Sequence, residues 1–474
     1  MRKRLLLLLL GASCLPSLLF AQRTLIYCGK LVDPGAGQVM TEMTIIVTGN
    51  MITGVEKGYV APAGGAGATA GMGATGSAGT GATGSAGTGA GAGATGSAGT
   101  GAGAGATGSA GDRVIDLKNR TVMPGLIDSH VHLEDQGGAN SQLLEFTMSD
   151  ADIAFQSTVY ARTTLMAGFT TVRDVGGSGV NIALRNAIRK GLVVGPRVYT
   201  AGKIISSTGG HADPTHGYRK GLFAEPSYTE TVADGKDACI KAVRQMYKEG
   251  ADLIKITASG GVLSLEKDGL GAQFSDEELR AIVETAKDYG MAVAAHAHGA
   301  EAIKRAIRAG VTSIEHGTFM DDEAIALFKK YGTWYVPTII AGKSVADSAK
   351  KPGYFPPVIA AKALMVGPVI QGTFAKAYKG GVKIAFGTDA GVYAHGKNWM
   401  EFVYMTEAGM PALEALKCAT VNAAELIGVS DKVGSIAAGK FADIVAVEGD
   451  PRTDIHVMGA MKFVMKDGVV YKNE

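Results

Sequence analysis

The sequence predicts an α/β protein: a (β/α)8 TIM barrel joined to a small β-sandwich domain built from both chain ends. Three observations predict it. Between Met123 and about Ile427, eight short apolar runs alternate with helical segments. At both ends of the chain the side chains alternate in strand fashion. The residues able to carry chemistry fall at the ends of the apolar runs, the face on which barrel enzymes assemble their sites. A doubly wound open sheet is the alternative architecture for such alternation.

Taken in order, residues 1–21 read as a secretory signal peptide. Arg2, Lys3 and Arg4 precede an apolar stretch from Leu5 to Phe20, and Ala21 is followed by Gln22. Lipoprotein processing at Cys14 fits less well, because Gly11 stands where an aliphatic residue is expected. The address this implies is periplasmic or secreted. No later stretch approaches 18 apolar residues, so no stable membrane span is expected after cleavage.

Residues 22–123 form the N-terminal part of the sandwich, with strand patterns at Thr24–Cys28, Met43–Thr48, Met51–Val55 and Val114–Leu117. They are interrupted at 64–111 by near-copies of Gly-Ala-Thr-Gly-Ser-Ala-Gly-Thr. That tract holds 20 of the 68 glycines of the chain and almost no side chain that buries area. It is expected to be a disordered surface insertion.

Residues 124–430 form the barrel. Its eight runs are Leu126–His132, Phe169–Val175, Arg197–Ile204, Leu253–Thr257, Ala292–His298, Ser313–His316, Tyr335–Ile340 and Lys383–Gly387. Amphipathic segments such as Asp276–Tyr289 and Glu301–Ala309 lie between them. Residues 431–474 complete the sandwich through Val433–Val447 and Met461–Val470.

Composition narrows the function. With 46 basic and 44 acidic side chains there is no excess positive charge to bind nucleic acid. A hydrophobic share of 46% supports a sizeable core. Cys28, Cys239 and Cys418 are widely spaced and odd in number, so buried thiols are expected rather than a disulfide framework.

His130 and His132 end the first run two positions apart, so both imidazoles point to the same side of a strand, where two nitrogens suit a borderline metal such as Zn. Alone, such a pair equally describes two hydrogen-bonded histidines. Lys255 lies among apolar neighbours in the fourth run, a costly place for a bare ammonium. His296 and His298 end the fifth run, His316 the sixth, and Asp389 follows the eighth. An unconnected set landing on one face is far less expected than a site.

The motifs Gly-Leu-Ile-Asp-Ser-His-Val-His132, Ile-Lys255-Ile, His296-Ala-His-Gly, Ile-Glu-His316-Gly and Gly-Thr-Asp389-Ala-Gly, in this order, resemble the amidohydrolase superfamily. The resemblance is to its binuclear-metal branch of imidazolonepropionase-related and Xaa-Pro dipeptidase-like proteins, and it spans Thr24 to Tyr471 apart from the low-complexity tract. It implies that His130, His132 and Asp389 hold one divalent metal, and His296 and His316 a second. It implies that Lys255 is carboxylated and bridges the two. Zn is expected, with Mn or Co as alternatives. A hydroxide shared by the metals would attack the scissile carbonyl, with Asp389 as general base and then acid.

The resemblance also implies substrate contacts. His211 would bond the carbonyl and oxyanion, and His298 the free carboxylate. Tyr218, Arg219, Lys220 and His395 are further carboxylate candidates, though for Arg219 and Lys220 a solvated loop charge is the stronger reading. The expected activity is hydrolysis of dipeptides or N-acyl amino acids with a free C-terminal carboxylate. A cyclic amide hydrolase, a lactonase and a deaminase are rival enzymes, and a secreted glycine-rich binding protein is the rival from another class. The partner is a small molecule or short peptide, and a homo-oligomer is compatible with the sequence.

Overall fold

A computed structural model describes residues 22–63, 111–138 and 141–474. The signal segment and nearly all of the 64–111 tract lie outside the described residues.

Both chain ends contribute to one mixed sheet of seven strands. Its members are β1 (Arg23–Asp33), β2 (Gln38–Thr48), β3 (Met51–Lys57), β4 (Arg113–Pro124), and, from the C-terminal end, β12 (Ile444–Val447), β13 (Met461–Lys466) and β14 (Val469–Asn473). The order is β14-β13-β12-β4-β1-β2-β3. The expected pairing of the two ends is therefore present within one continuous hydrogen-bonded sheet. Ile26, Cys28, Ile45 and Leu117 from one end share a core with Ile444, Ala446 and Phe463 from the other. The hairpin β13–β14 turns at Asp467 and Gly468, both left-handed, as a tight Asp-Gly hairpin requires. Of the expected strand at 433–447, only Ile444–Val447 is extended in a ladder; Gly434 and Gly439, both at positive φ, turn the chain before it.

Seven strands carry the middle of the chain: β5 (Leu126–Val131), β6 (Phe169–Asp174), β7 (Arg197–Thr200), β8 (Ile254–Thr257), β9 (Val293–Ala297), β10 (Ser313–His316) and β11 (Trp334–Val336). They form two arcs of parallel strands, β5-β6-β7 and β8-β9-β10-β11. Parallel bridges join segments at the arc ends: Ile205 to Ile256, Tyr335 to Ile384, and Val131 to Ala390. Helices follow the strands, including Asp276–Asp288 and Ala300–Ala309, which match the amphipathic segments read from sequence.

Three expected strands are clearly shorter than read: the third, Arg197–Ile204, is extended only over Arg197–Thr200. The seventh stops at Val336 because Pro337 has no N–H for the ladder, and Ile339 and Ile340 instead open a helix. The eighth, 383–387, makes only isolated bonds, such as Ser129 N–H to Phe386 O at 2.9 Å. Gly125 lets β4 run straight into β5: a Cβ there would lie 2.2 Å from Thr170 Oγ1.

The helix Pro357–Lys379 is long and apolar enough to cross a membrane by length and composition, although lysines interrupt its apolar run. Here it buries Ile359, Ala363, Val366, Ile370 and Phe374. Cys28, Cys239 and Cys418 are buried free thiols.

The two sides of the low-complexity tract are tied together. Asp112 donates its N–H to Ala63 O at 3.3 Å and accepts from Ala63 N–H at 2.8 Å. Deleting 66–108 leaves a short turn between these points and less loop to close. The deletion variant is expected to melt at or above the temperature of the full chain with unchanged turnover. A folded variant without activity would show that the tract serves the site.

Candidate metal centre

The parallel strands bring the predicted residues to one end. β5 is buried along its whole length and carries His130 next to the buried polar Asp128 and Ser129, with His132 just beyond. Lys255 sits on β8 between Ile254 and Ile256, both fully buried, and is itself 3% exposed. His296 lies on β9, His298 just past it, and His316 closes β10. Asp389 follows the 383–387 segment and donates its N–H to His130 O at 2.7 Å. His316 and Asp389 have φ of 69° and 61°, left-handed values that cost a non-glycine residue about 1–3 kcal/mol each. Two strained residues, each at the end of a parallel segment, mark a site built against local preference.

The nitrogens and oxygens converge. One ligand atom each from His130, His316 and Asp389 lie within 4.8 Å of one another. Asp389 Oδ1 is 3.3 Å from His130 Nε2 and 3.2 Å from His132 Nε2. The His296 and His316 rings are 4.6 Å apart, and His130 and His316 5.0 Å. His316 thus bridges the two sets into which the resemblance sorted the ligands.

The rings are held from behind in the manner metal ligation needs. His130 Nδ1 donates to Glu315 Oε2 at 2.8 Å, and His132 Nδ1 to Gly176 O at 2.6 Å. His296 Nε2 donates to Gly260 O at 3.0 Å. Carboxylates and carbonyls only accept, so each ring spends its N–H there and turns a lone pair inward. His316 Nδ1 is paired with Thr338 Oγ1 at 2.7 Å. Four imidazoles and a carboxylate arranged this way fit divalent ions of the Zn type.

The electrostatics agree. Burial pushes the Asp389 carboxyl up, but the His130 and His132 rings outweigh it and hold it well below the usual range. Burial pushes His132 down, yet Asp389 overrides it and raises the ring to about 9. The space between these groups favours a positive charge, which a metal ion supplies. Burial pushes His296 and His316 far down, so both rings are neutral. Burial also lowers the Lys255 ammonium, to about 8, against the opposing pull of Glu315 and Asp389.

The substrate-contact candidates divide. The His211 ring lies 4.4 Å from that of His296, and the His298 ring 5.1 Å from that of His316, with His298 Nδ1 on Thr318 Oγ1 at 2.8 Å. Both belong to the cluster. Tyr218, Arg219 and Lys220 instead line a cleft of about 220 Å³ within their own loop. Tyr218 packs edge-on against Phe146 and Phe223. His395 is committed elsewhere: Nε2 donates to Asp135 O at 2.8 Å, Nδ1 faces Thr164 Oγ1 at 3.4 Å, and the ring stacks on Tyr160. With both nitrogens used by the protein, His395 has no group left for a carboxylate. A larger cleft of about 380 Å³, lined by Trp399, Met458 and Lys462 among others, holds none of the site residues.

Several supporting residues were not singled out from sequence. Arg173 donates to both oxygens of Glu315, at 2.9 and 3.0 Å, and Ser313 Oγ adds a bond at 2.5 Å. Asp128 accepts from the His130 N–H and from Thr388 and Asn398. The available signal was charge inside apolar runs: Arg173 in Phe169–Val175, Glu315 in Ser313–His316, Asp128 in Leu126–His132. Glu315→Gln keeps the shape but weakens the acceptor behind His130 and leaves Arg173 without its counter-ion. Metal affinity is expected to fall ~10–100-fold, read by chelator competition; unchanged affinity would reduce the pair to packing.

Comparison with known proteins follows the same lines. The amidohydrolase family profile matches residues 121–472. A solved Xaa-Pro dipeptidase with bound methionine in its active site is 45% identical, covers 95% of this chain and 100% of its own, and superposes with a TM-score of 0.84. A prolidase solved with N-methylphosphonate-L-proline is 30% identical, with coverage of 96% and 100% and a TM-score of 0.78. Ochratoxinase of Aspergillus niger is 35% identical over 375 residues, 74% of this chain and 75% of that protein.

Proposed function

The chain belongs to the amidohydrolase family and hydrolyses carbon–nitrogen bonds, and from that premise we propose that its substrates are dipeptides or N-acyl amino acids with a free C-terminal carboxylate. We read the two arcs and the 383–387 segment as one closed (β/α)8 barrel with the terminal sheet folded as a sandwich beside it. The observation that carries the site is the convergence of four imidazoles, Asp389 and a buried lysine where parallel strands end. The relatives solved with methionine or a proline phosphonate support a ligand that carries a carboxylate.

His130, His132 and Asp389 would hold one ion and His296 and His316 a second. Divalent ions there would supply Lewis acidity and a nucleophilic water near neutral pH. Lys255 would join the two sets as a carbamate: its neutral amine adds to CO₂, forming an N–C bond and releasing one proton. The depressed ammonium favours the neutral amine that this step needs. Asp389 would take a proton from the attacking water and return it to the leaving amine. His211 would face the carbonyl oxygen as negative charge develops, and His298 the substrate carboxylate. The n-region Arg2–Arg4 and the apolar run after it support export.

The test is turnover of dipeptides and N-acyl amino acids, varied at the C-terminal residue, beside their C-terminal amides. Free acids are expected to be preferred by ~10–100-fold, the worth of one or two charge-assisted hydrogen bonds. Equal turnover of acids and amides would overturn the carboxylate requirement and turn the search to cyclic amides and lactones.

A further inference from the structure

The loop after β8 contains two residues that the chemistry above leaves unused. Ser264 Oγ donates to Glu266 Oε1 at 2.5 Å, and the same oxygen accepts from Gly261 N–H at 2.8 Å. His211 Nδ1 lies 2.5 Å from Ser264 Oγ. A serine hydroxyl carries one proton. The carboxylate takes it, the competing acceptor Gly261 O being 3.5 Å away. Ser264 then meets His211 with a lone pair, so His211 must donate from Nδ1, and Nε2 is the nitrogen left for substrate.

The assembly is clamped on each side. Lys362, 5% exposed on the helix Pro357–Lys379, donates to Ser264 O at 2.7 Å and Glu266 O at 2.9 Å, and stands 3.7 Å from Glu266 Oε1. The His211 ring lies over Gly261, where a Cβ would come within 2.2–2.3 Å of three ring atoms. His296 covers the ring at 4.4 Å between centroids. Glu266 Oε2 is buried with no hydrogen-bond partner. A packing role gives no reason to bury a carboxylate so incompletely satisfied.

We propose that Ser264 and Glu266, clamped by Lys362, are positioning residues that lock the His211 ring with its proton on Nδ1 and leave Nε2 as the nitrogen presented to substrate. The contact made by Nε2 rests on the amide-hydrolase reading; the lock itself does not.

Two readouts test it on the full-length, metal-loaded protein. Ser264→Ala is expected to lower kcat ~10–100-fold with KM within about threefold, because the loss falls on transition-state contact. Ser264→Thr keeps the hydroxyl and restores most of kcat. Glu266→Gln keeps an acceptor oxygen without its charge and gives an intermediate loss. The second readout is the ¹⁵N spectrum of the histidine rings, with the His211 signal identified by its disappearance in His211→Gln. Wild type and Ser264→Thr are expected to show His211 protonated at Nδ1, and Ser264→Ala a mixture of tautomers. The lock is overturned if Ser264→Ala keeps both wild-type kcat and the wild-type tautomer, or if wild-type His211 is protonated on Nε2 alone. If the wild type turns over no amide substrate, the substrate reading fails and the spectrum still decides the lock.

Discussion

Lys255→Ala is expected to lower kcat/KM by at least about 10³-fold, the equivalent of ~4 kcal/mol of transition-state stabilisation. The reasoning starts from cost. An ammonium buried between Ile254 and Ile256 is lowered to about 8 even with Glu315 and Asp389 near it. Removing a group that is expensive to bury should not weaken the fold, so the melting temperature should hold while activity collapses. Lys255→Met, which keeps the bulk and loses the amine, separates packing from chemistry and should match the alanine variant. A carbamate makes a further demand. Metal-free protein reloaded with Zn in CO₂-depleted buffer should recover little activity until bicarbonate is added. Activity within about tenfold of wild type in either variant, well short of a bridging ligand's worth, would sink the bridging role.

The site was more legible than its supports, for a physical reason. Strand ends are local features: an apolar run that stops at histidine or aspartate announces itself within a few residues. His130, His132, His296, His316 and Asp389 could be read that way, Lys255 as a charge among apolar neighbours, and the structure gathers them. What holds them is not local. Arg173 meets Glu315 from another strand, 142 residues along the chain. Asp128 meets Thr388 at a separation of 260 residues. Such pairs have no shared spacing, only the oddity of charge in an apolar run.

His395 shows the converse. The sequence offers it as a further carboxylate candidate, while Asp135, Thr164 and Tyr160 consume its ring. The fold was misread where one residue changes the hydrogen-bond arithmetic. Pro337 ends β11 early, because it has no N–H to give the ladder. The helix Pro357–Lys379 misleads in another way: it has the composition of a membrane span and uses it to cover a core, with Lys362 turned inward to the Ser264–Glu266 pair.

The left-handed turn at Asp389 makes one substitution unusually clean. Asn matches Asp in shape and tolerates positive φ better than most side chains, so Asp389→Asn should preserve the backbone at φ 61°. What it removes is charge. In the native site Asp389 sits 3.2–3.3 Å from two imidazoles, and they hold its carboxyl well below the usual range despite burial. A proton carrier working here must accept a proton in the transition state and surrender it to the leaving amine; an amide does neither. The variant is expected to lose ~10²–10⁴-fold in kcat through the proton role alone, with KM nearly unchanged because substrate is held by other groups. Metal content separates this from ligand loss. If the variant binds both ions and kcat falls, Asp389 moves protons. If it loses an ion and added Zn restores turnover, Asp389 is a ligand without a proton role. The low carboxyl pKa favours ligation at rest, and the strain stored at Asp389 and His316 favours a group fixed for chemistry rather than for packing.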